Sequence, residues 1–250
     1  MEVGARTPEQ IDPIETAKEL QIQVVFGHLT GATARIYRIG DKARIRVSEQ
    51  IVTEGRRRMS IMHEVAHFAL DHEIPREGDL VSCFETSCAR RSKRDERDAD
   101  VLAVEHLTPE PMVKSYCEVT PVDFAAVEPI EHLFLTSRVM AAVRFVELSP
   151  EACAVVYSDA ARVKWMKPSR TFPSFLKKGT AVGPGTVAAE VFASGTVCDV
   201  PRTMTATSWL GTSSKHTAER QLVEDATMIA GHGWGGVLSM LWLPSQVGVS

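Results

Sequence analysis

The chain has 250 residues, of which 44% are hydrophobic and 24% are charged, and its formal net charge is −4. Such a composition is typical of a globular protein with one large or two modest domains, and it excludes a low-complexity chain. The five cysteines are an odd number scattered along the sequence, which argues against a disulfide framework. Since we find no secretion signal and no apolar run of membrane-spanning length, we expect a cytoplasmic protein with no membrane partner.

The charge is distributed unevenly along the chain. Residues 1–148 carry a net charge of about −6 and residues 149–250 about +2, counting Lys, Arg, Asp and Glu. We predict two domains that divide at this point, and we expect an anionic partner to bind the second.

The first predicted elements are a helix, a strand and a hairpin. Residues 11–20 have the apolar spacing of a short amphipathic helix, and residues 21–28 form a strand rich in Val and Ile. Residues 34–38 and 43–47 alternate apolar and polar side chains on either side of a Gly-Asp pair, which predicts a β-hairpin.

Residues 56–71 have apolar side chains nearly all the way round a helix, which indicates a buried helix. Within it, His63 and His67 lie four residues apart on one face, the spacing that two imidazoles need to bind one metal ion. Glu64 lies beside them, where a carboxylate can act as a general base in metal-assisted hydrolysis. The alternative is that both histidines are core residues bound to backbone carbonyls. The six other histidines lack ligand spacing and carry little signal.

A loop and a second polar helix follow. Residues 72–91 show no period, and a loop of this length in a compact domain is usually functional or mobile. Residues 92–107 begin with a capping box and predict a helix on which Glu96 and Asp100 share one face. We predict that Glu96 is the third metal ligand and that Asp100 accepts the second ring N–H of a ligating histidine. The alternative is a solvent-exposed acidic face.

The remainder of the chain predicts more helices and then a mixed domain, so the fold class is α+β. The predicted helices cover residues 123–135 and 137–146, and the predicted strands cover residues 152–157, 162–166, 195–200, 203–209 and 236–242.

Three motifs carry a resemblance to a known family. They are Arg56-Arg57-Arg58-Met59 leading into the histidine helix, Cys88-Ala89-Arg90, and Glu96-Arg97-Asp98-Ala99-Asp100 continuing to Leu107-Thr108-Pro109. Together they resemble the IrrE/ImmA family of zinc metallopeptidases over about residues 15–150. The rest of the chain looks only generally like the C-terminal sensor domain, GAF-like in some members, that this family can carry.

The resemblance implies a zincin-like first domain that binds Zn²⁺ through His63, His67 and Glu96, with Glu64 as the catalytic base and Asp100 in a supporting position. It also implies a cytoplasmic protease that cleaves a helix-turn-helix repressor and so derepresses stress, DNA-damage or defence genes. A competing hypothesis is a zinc-stabilised regulator that binds a repressor or nucleic acid without cleaving it. Substitution of Glu64 separates the two, because only a protease needs the base.

Cys88 is a candidate fourth zinc ligand in the long loop. A thiolate is a strong zinc ligand, and one that holds the open position excludes the water that hydrolysis needs. We therefore hypothesise a cysteine switch in which Cys88, or otherwise Cys83, inhibits the resting enzyme. The alternative is that Cys88 is a small buried hydrophobic residue.

A stretch without acidic residues runs from residue 160 to residue 189. Its cations can contact phosphates and its rings can stack on unpaired bases, as single-stranded nucleic acid binding requires. Single-stranded DNA is therefore a candidate activator, and the alternative is an ordinary solvent-exposed face. The candidate contacts are Arg162, Lys164, Trp165, Lys167, Arg170, Lys177 and Lys178, with Phe172 and Phe175 among them.

Overall fold

The computed structural model describes residues 6–77, 91–197, 200–211, 220–229 and 236–245. The chain divides into two compact units, one comprising Met1–Met112 with Glu131–Ser137 and the other Val113–Ile130 with Arg138–Ser250. Helices and two β-sheets confirm the predicted α+β class. The boundary predicted at residue 148 stays a proposal for the limit between the two domains.

The first unit combines a three-stranded sheet with helices. The sheet has the order β1-β3-β2, in which β1 is parallel and β2 is antiparallel to β3. The predicted β2–β3 hairpin is confirmed, and Gly40 in its turn has a φ of +59°, which residues with a Cβ rarely adopt. The elements are α1 (Pro13–Glu19), β1 (Ile22–Gly27), β2 (Ala34–Ile39), β3 (Lys42–Ser48), α2 (Glu54–Ala69) and α3 (Lys93–Leu107).

One face of this sheet packs against α2. Ile36, Ile45 and Val47 are at most 1% exposed, and Met62 and Val65 of α2 are fully buried. Since successive strand residues point to opposite faces, the alternation in the sequence places this apolar set on one side. The sheet therefore fixes the position of α2, the helix that carries the two histidines.

The first turn of α2 lies against backbone at Gly55. A Cβ added to Gly55 would lie 2.3 Å from the carbonyl carbon of Thr136 and 2.4 Å from the backbone nitrogen of Ser137. Backbone in a close-packed interior cannot yield as the end of a flexible side chain can. Glycine is therefore required here for α2 to take its position.

Gly55→Ala is expected to lower the free energy of unfolding by about 2–3 kcal/mol, because the added methyl group overpacks a site with no room. Urea denaturation measures the change. Gly27→Ala is the control, since among the described residues its added Cβ would meet only Glu49 Oε1, at an ordinary contact distance of 3.8 Å. Equal stability of the two variants would show that the close approach at Gly55 is unimportant.

The later part of the chain forms an antiparallel sheet of order β5-β4-β8-β7-β6. On one face, an apolar cluster includes Val156, Val191, Trp209 and Leu241. No helix among the described residues is long and apolar enough to cross a membrane. The elements are α4 (Glu110–Cys117), α5 (Phe124–Leu133), α6 (Arg138–Leu148), β4 (Cys153–Asp159), β5 (Arg162–Pro168), α7 (Val187–Ser194), β6 (Arg202–Thr205), α8 (Thr207–Leu210), β7 (Gln221–Ile229) and β8 (Gly236–Trp242).

Two predicted strands in this unit are wrong at least in part. The strand predicted at residues 195–200 is absent from its described part, because Gly195 adopts a left-handed φ of 70° and ends α7. The strand predicted at residues 203–209 ends at Thr205, and α8 begins at Thr207. Both errors arise because apolar runs of this length do not distinguish a strand from one or two helical turns.

Two consecutive carboxylates on β7 bind helix N-termini. The sequence patterns did not predict β7 as a strand. Glu224 accepts hydrogen bonds from the backbone N–H groups of Val187 (2.7 Å) and Ala188 (3.0 Å), the first residues of α7. Asp225 accepts one from Phe124 N–H (2.8 Å), at the start of α5. Burial raises the pKa of both carboxyl groups, and these backbone hydrogen bonds partly oppose the rise. β7 therefore anchors two helices of its unit.

Candidate metal centre

Helices α2 and α3 bring three potential metal ligands together. His63 Nε2 lies 3.0 Å from His67 Nε2, and the Glu96 carboxylate lies 3.2 Å from the first and 3.5 Å from the second. Tetrahedral ligands that lie about 2.0–2.1 Å from a zinc ion are about 3.3 Å from one another. The three side chains are therefore close enough together to hold one metal ion, and two nitrogens with a carboxylate oxygen are a donor set that suits zinc.

Asp100, one turn beyond Glu96 on α3, contacts the other nitrogen of His63. Its Oδ1 lies 2.8 Å from His63 Nδ1. Burial lowers the pKa of His63, but the hydrogen bond to Asp100 and the charges of Glu64, Asp100 and Glu96 raise it more, so that it lies above its ordinary value. A proton held on Nδ1 by the carboxylate leaves the Nε2 lone pair for a metal.

His67 is fully buried. Burial, followed by charge interactions with Arg91, His63 and His72, lowers its pKa to about 3. A histidine must be neutral to bind a metal, and His67 is neutral at physiological pH. Its ring is therefore available as a ligand without loss of a proton.

Glu64 lies next to the histidines and is 7% exposed. Its Oε2 accepts hydrogen bonds from the backbone N–H of Ile36 on β2 (3.1 Å) and from Arg91 Nη1 (3.3 Å). Burial raises the pKa of its carboxyl group, and the charges of Arg91 and His63 partly oppose the rise. β2 and Arg91 thus hold in place a carboxylate that is more basic than an exposed one.

Sequence reasoning missed two residues of this site, His72 and Arg91. His72 Nδ1 lies 2.8 Å from His67 Nδ1, although a spacing of five residues after His67 is no ligand signal. Arg91 contacts Glu64 from the far end of the long loop. In the sequence, His72 and Arg91 are marked only as a titratable and a charged residue at the two ends of a long loop. This signal is too weak to select one residue.

Cys88 and Cys83 lie outside the described residues, so the cysteine switch stays a hypothesis. The described cysteines Cys117 and Cys153 are buried. Burial raises the pKa of their thiols to about 12 and about 11, respectively. Both are therefore protonated and unreactive at neutral pH.

The candidate nucleic-acid contacts lie on β5 and in the segment that follows it. Lys164 pairs with Asp159 at 3.4 Å, and Lys167 pairs with Glu147 at 3.0 Å. These partners reduce the charge that both lysines offer to a phosphate. Trp165 stacks on Tyr157, Arg162 donates to the Gly179 carbonyl, and Phe172 is buried. The remaining candidates, Arg170, Lys177 and Lys178, are exposed, as is Phe175 with 62% of its surface.

Comparison with known proteins identifies both a family and a fold. The model of the M78 peptidases, described as the IrrE N-terminal-like domain, matches residues 17–145, which include all the residues of the metal centre. Among solved structures, a Mycobacterium tuberculosis transcriptional regulator is similar with a TM-score of 0.61 and 14% sequence identity, over 97% of this chain and 73% of that chain. At this identity the likeness shows the fold alone. No curated protein matches the chain significantly.

Proposed function

The chain belongs to the M78 peptidase family by its IrrE N-terminal-like domain, and we propose that it is a zinc-dependent endopeptidase. The observation that carries this proposal is the convergence of His63 Nε2, His67 Nε2 and the Glu96 carboxylate beside the buried Glu64. Three protein ligands that leave a fourth position open are typical of catalytic zinc sites. A zincin-like first domain, with α2 packed on the sheet, is part of the proposal.

Zinc bound at these residues would supply a Lewis acid that lowers the pKa of water and polarises a peptide carbonyl. Glu64 would take the proton of the attacking water and pass it to the leaving amine. Among the described residues, both hydrogen bonds to Glu64 reach Oε2, which leaves Oε1 for this proton. The raised pKa of Glu64 strengthens it as a base, because a catalytic pKa nearer neutrality transfers protons more efficiently.

The outer edge of β2 supports an extended peptide as the substrate. The N–H groups of Ile36 and Arg38 point away from β3, since they bind Glu64 and the Pro75 carbonyl (2.9 Å). Backbone groups alternate along a strand, so those of Ala34 are directed to the same edge. A peptide that pairs with β2 at Ala34, beside the Ile36 N–H that Glu64 already binds, would pass close to Glu64. Strand pairing of this kind binds the backbone in the interior of a substrate chain, which is where an endopeptidase cuts.

The substrate that we propose is a helix-turn-helix repressor in the cytoplasm, whose loss derepresses stress, DNA-damage or defence genes. Family membership supports this role. The second domain would be a sensor, for which a GAF-like fold is a proposal supported by its antiparallel sheet with α7 packed on it.

Zinc-loaded protein incubated with the repressor encoded by the neighbouring gene tests this function. Mass spectrometry of the repressor is the measurement, with and without a chelator. We expect a zinc-dependent cut at one bond. A repressor that stays intact with zinc, with and without DNA damage in co-expressing cells, would contradict this choice of substrate.

Single-stranded DNA is a second candidate partner, favoured by the exposure of Phe175 near three exposed cations. Replacement of these cations by glutamate is expected to weaken DNA binding at least about tenfold at low salt, because each lost phosphate contact weakens a counterion-driven interaction. Fluorescence anisotropy with an oligonucleotide measures this. The test variant changes Arg170, Lys177 and Lys178, and the control of equal charge changes the exposed Lys18, Lys42 and Lys114. Equal affinities for both variants, or no binding by the parent, would exclude this surface.

A further inference from the structure

The C-terminal end of α2 places His72 beside His67. Asp71 has a left-handed φ of 55°, its N–H donates to the Phe68 carbonyl (3.1 Å), and the His72 N–H donates to the His67 carbonyl (3.0 Å). This pair of hydrogen bonds is the Schellman motif, in which the second residue beyond the helix lies against the third residue from its end. The backbone therefore brings the two imidazole rings together.

The contact between the rings determines where their protons lie. His67 Nε2 faces His63 and Glu96, and His67 Nδ1 lies 2.8 Å from His72 Nδ1. Only one proton fits between two nitrogens at this distance. If His67 offers its Nε2 lone pair to a metal, its Nδ1 carries the proton and donates it to His72.

Asp95 faces the other nitrogen of His72. Its Oδ1 lies 3.9 Å from His72 Nε2, the nitrogen that holds the ring proton when Nδ1 is the acceptor. The other carboxylate oxygen of Asp95 accepts the Ser92 N–H (3.0 Å) in the capping box of α3, which holds the residue in place. The negative charge thus lies beside the N–H end of His72.

We propose that His72 is a positioning residue for the metal centre: it accepts the Nδ1–H of His67 and so holds the ring in the tautomer and orientation that present Nε2 to zinc. His72 would serve His67 as Asp100 serves His63. This inference rests on the proposed zinc site. The partner of a ligating histidine typically contributes about 10–100-fold to metal affinity.

The test compares zinc affinities of full-length variants, measured by competition with a chromophoric chelator. In His72→Leu the side chain still fills the space but offers no acceptor, and water cannot readily replace it because His67 is fully buried. In His72→Asn the amide oxygen can take the place of Nδ1 as an acceptor. The control is His28→Leu, which changes an exposed histidine of the same unit.

We expect zinc to bind about 10–100-fold more weakly to His72→Leu, most of the affinity to return in His72→Asn, and His28→Leu to match the parent. Unchanged affinity in His72→Leu, or equal losses in the Leu and Asn variants, would overturn the positioning role while leaving the zinc site intact. A parent that binds no zinc would overturn both the inference and the proposed function. If His72→Leu does not fold, His72→Ala takes its place in the same comparison.

Discussion

Glu64→Gln is expected to slow repressor cleavage by about 10²–10⁴-fold while zinc stays bound, because the change removes the base and leaves His63, His67 and Glu96 in place. Gln retains an oxygen that can accept the Ile36 N–H. It also removes a buried carboxyl group, the pKa of which is raised by burial. The fold should therefore survive. The measurement is the initial rate of product formation by mass spectrometry, with the zinc content determined in parallel.

Glu73→Gln is the control for this experiment, since Glu73 is an exposed glutamate of the same unit. A Glu64→Gln protein that still cleaves at the parental rate would exclude Glu64 as the base. If the parent protein never cleaved the repressor and Glu64→Gln regulated the repressor as well as the parent does, the protein would be a non-proteolytic, zinc-stabilised regulator. The two hypotheses from the sequence therefore separate at one residue.

Removal of zinc is expected to destabilise the first unit, and Glu96→Ala is expected to abolish most of that dependence. A ligand at about 1,000 times its dissociation constant stabilises the folded state by about 4 kcal/mol. Glu96 is one of the three candidate ligands, and its side chain is 46% exposed, so its removal is expected to cost the zinc-free protein little. Thermal unfolding with added zinc and with a chelator measures both effects.

Asp98→Ala is the matched control, because it removes from the same helix a carboxylate of similar exposure. Among the described contacts, the Asp98 carboxylate pairs only with Arg94, at 3.6 Å. We expect this variant to keep the parental shift on zinc addition. If Glu96→Ala and Asp98→Ala gave the same shift, Glu96 would not be a ligand. If the parent gave no shift, the metal centre itself would be refuted.

Local patterns in the sequence predicted much of the first unit. The β2–β3 hairpin follows from strict alternation, and the capping box of Ser92 and Asp95 at the start of α3 is confirmed by hydrogen bonds of 3.1 and 3.0 Å. These features depend on residues that are near in sequence, and their periods of 2 and 3.6 residues can be recognised directly.

Features that depend on distant pairing could not be predicted in this way. β1 pairs with β3 in parallel, although β2 lies between these two strands in the sequence. β7 lies between β6 and β8, and its Glu224 and Asp225 interrupt the apolar pattern because they bind helix N-termini. A buried carboxylate at a helix N-terminus satisfies backbone donors, so polarity there is no sign of exposure.

The sequence alone determined the family resemblance, the α+β class and the candidate ligand pair, since His67 follows His63 at position i+4 in any fold that makes this segment helical. The tertiary structure decided how close Glu96 comes to that pair and how Ile36 and Arg91 hold Glu64. The physical reason is that helix periodicity sets spacing within one element. Separation between elements depends on packing, which brings Asp100 of α3 to His63 of α2.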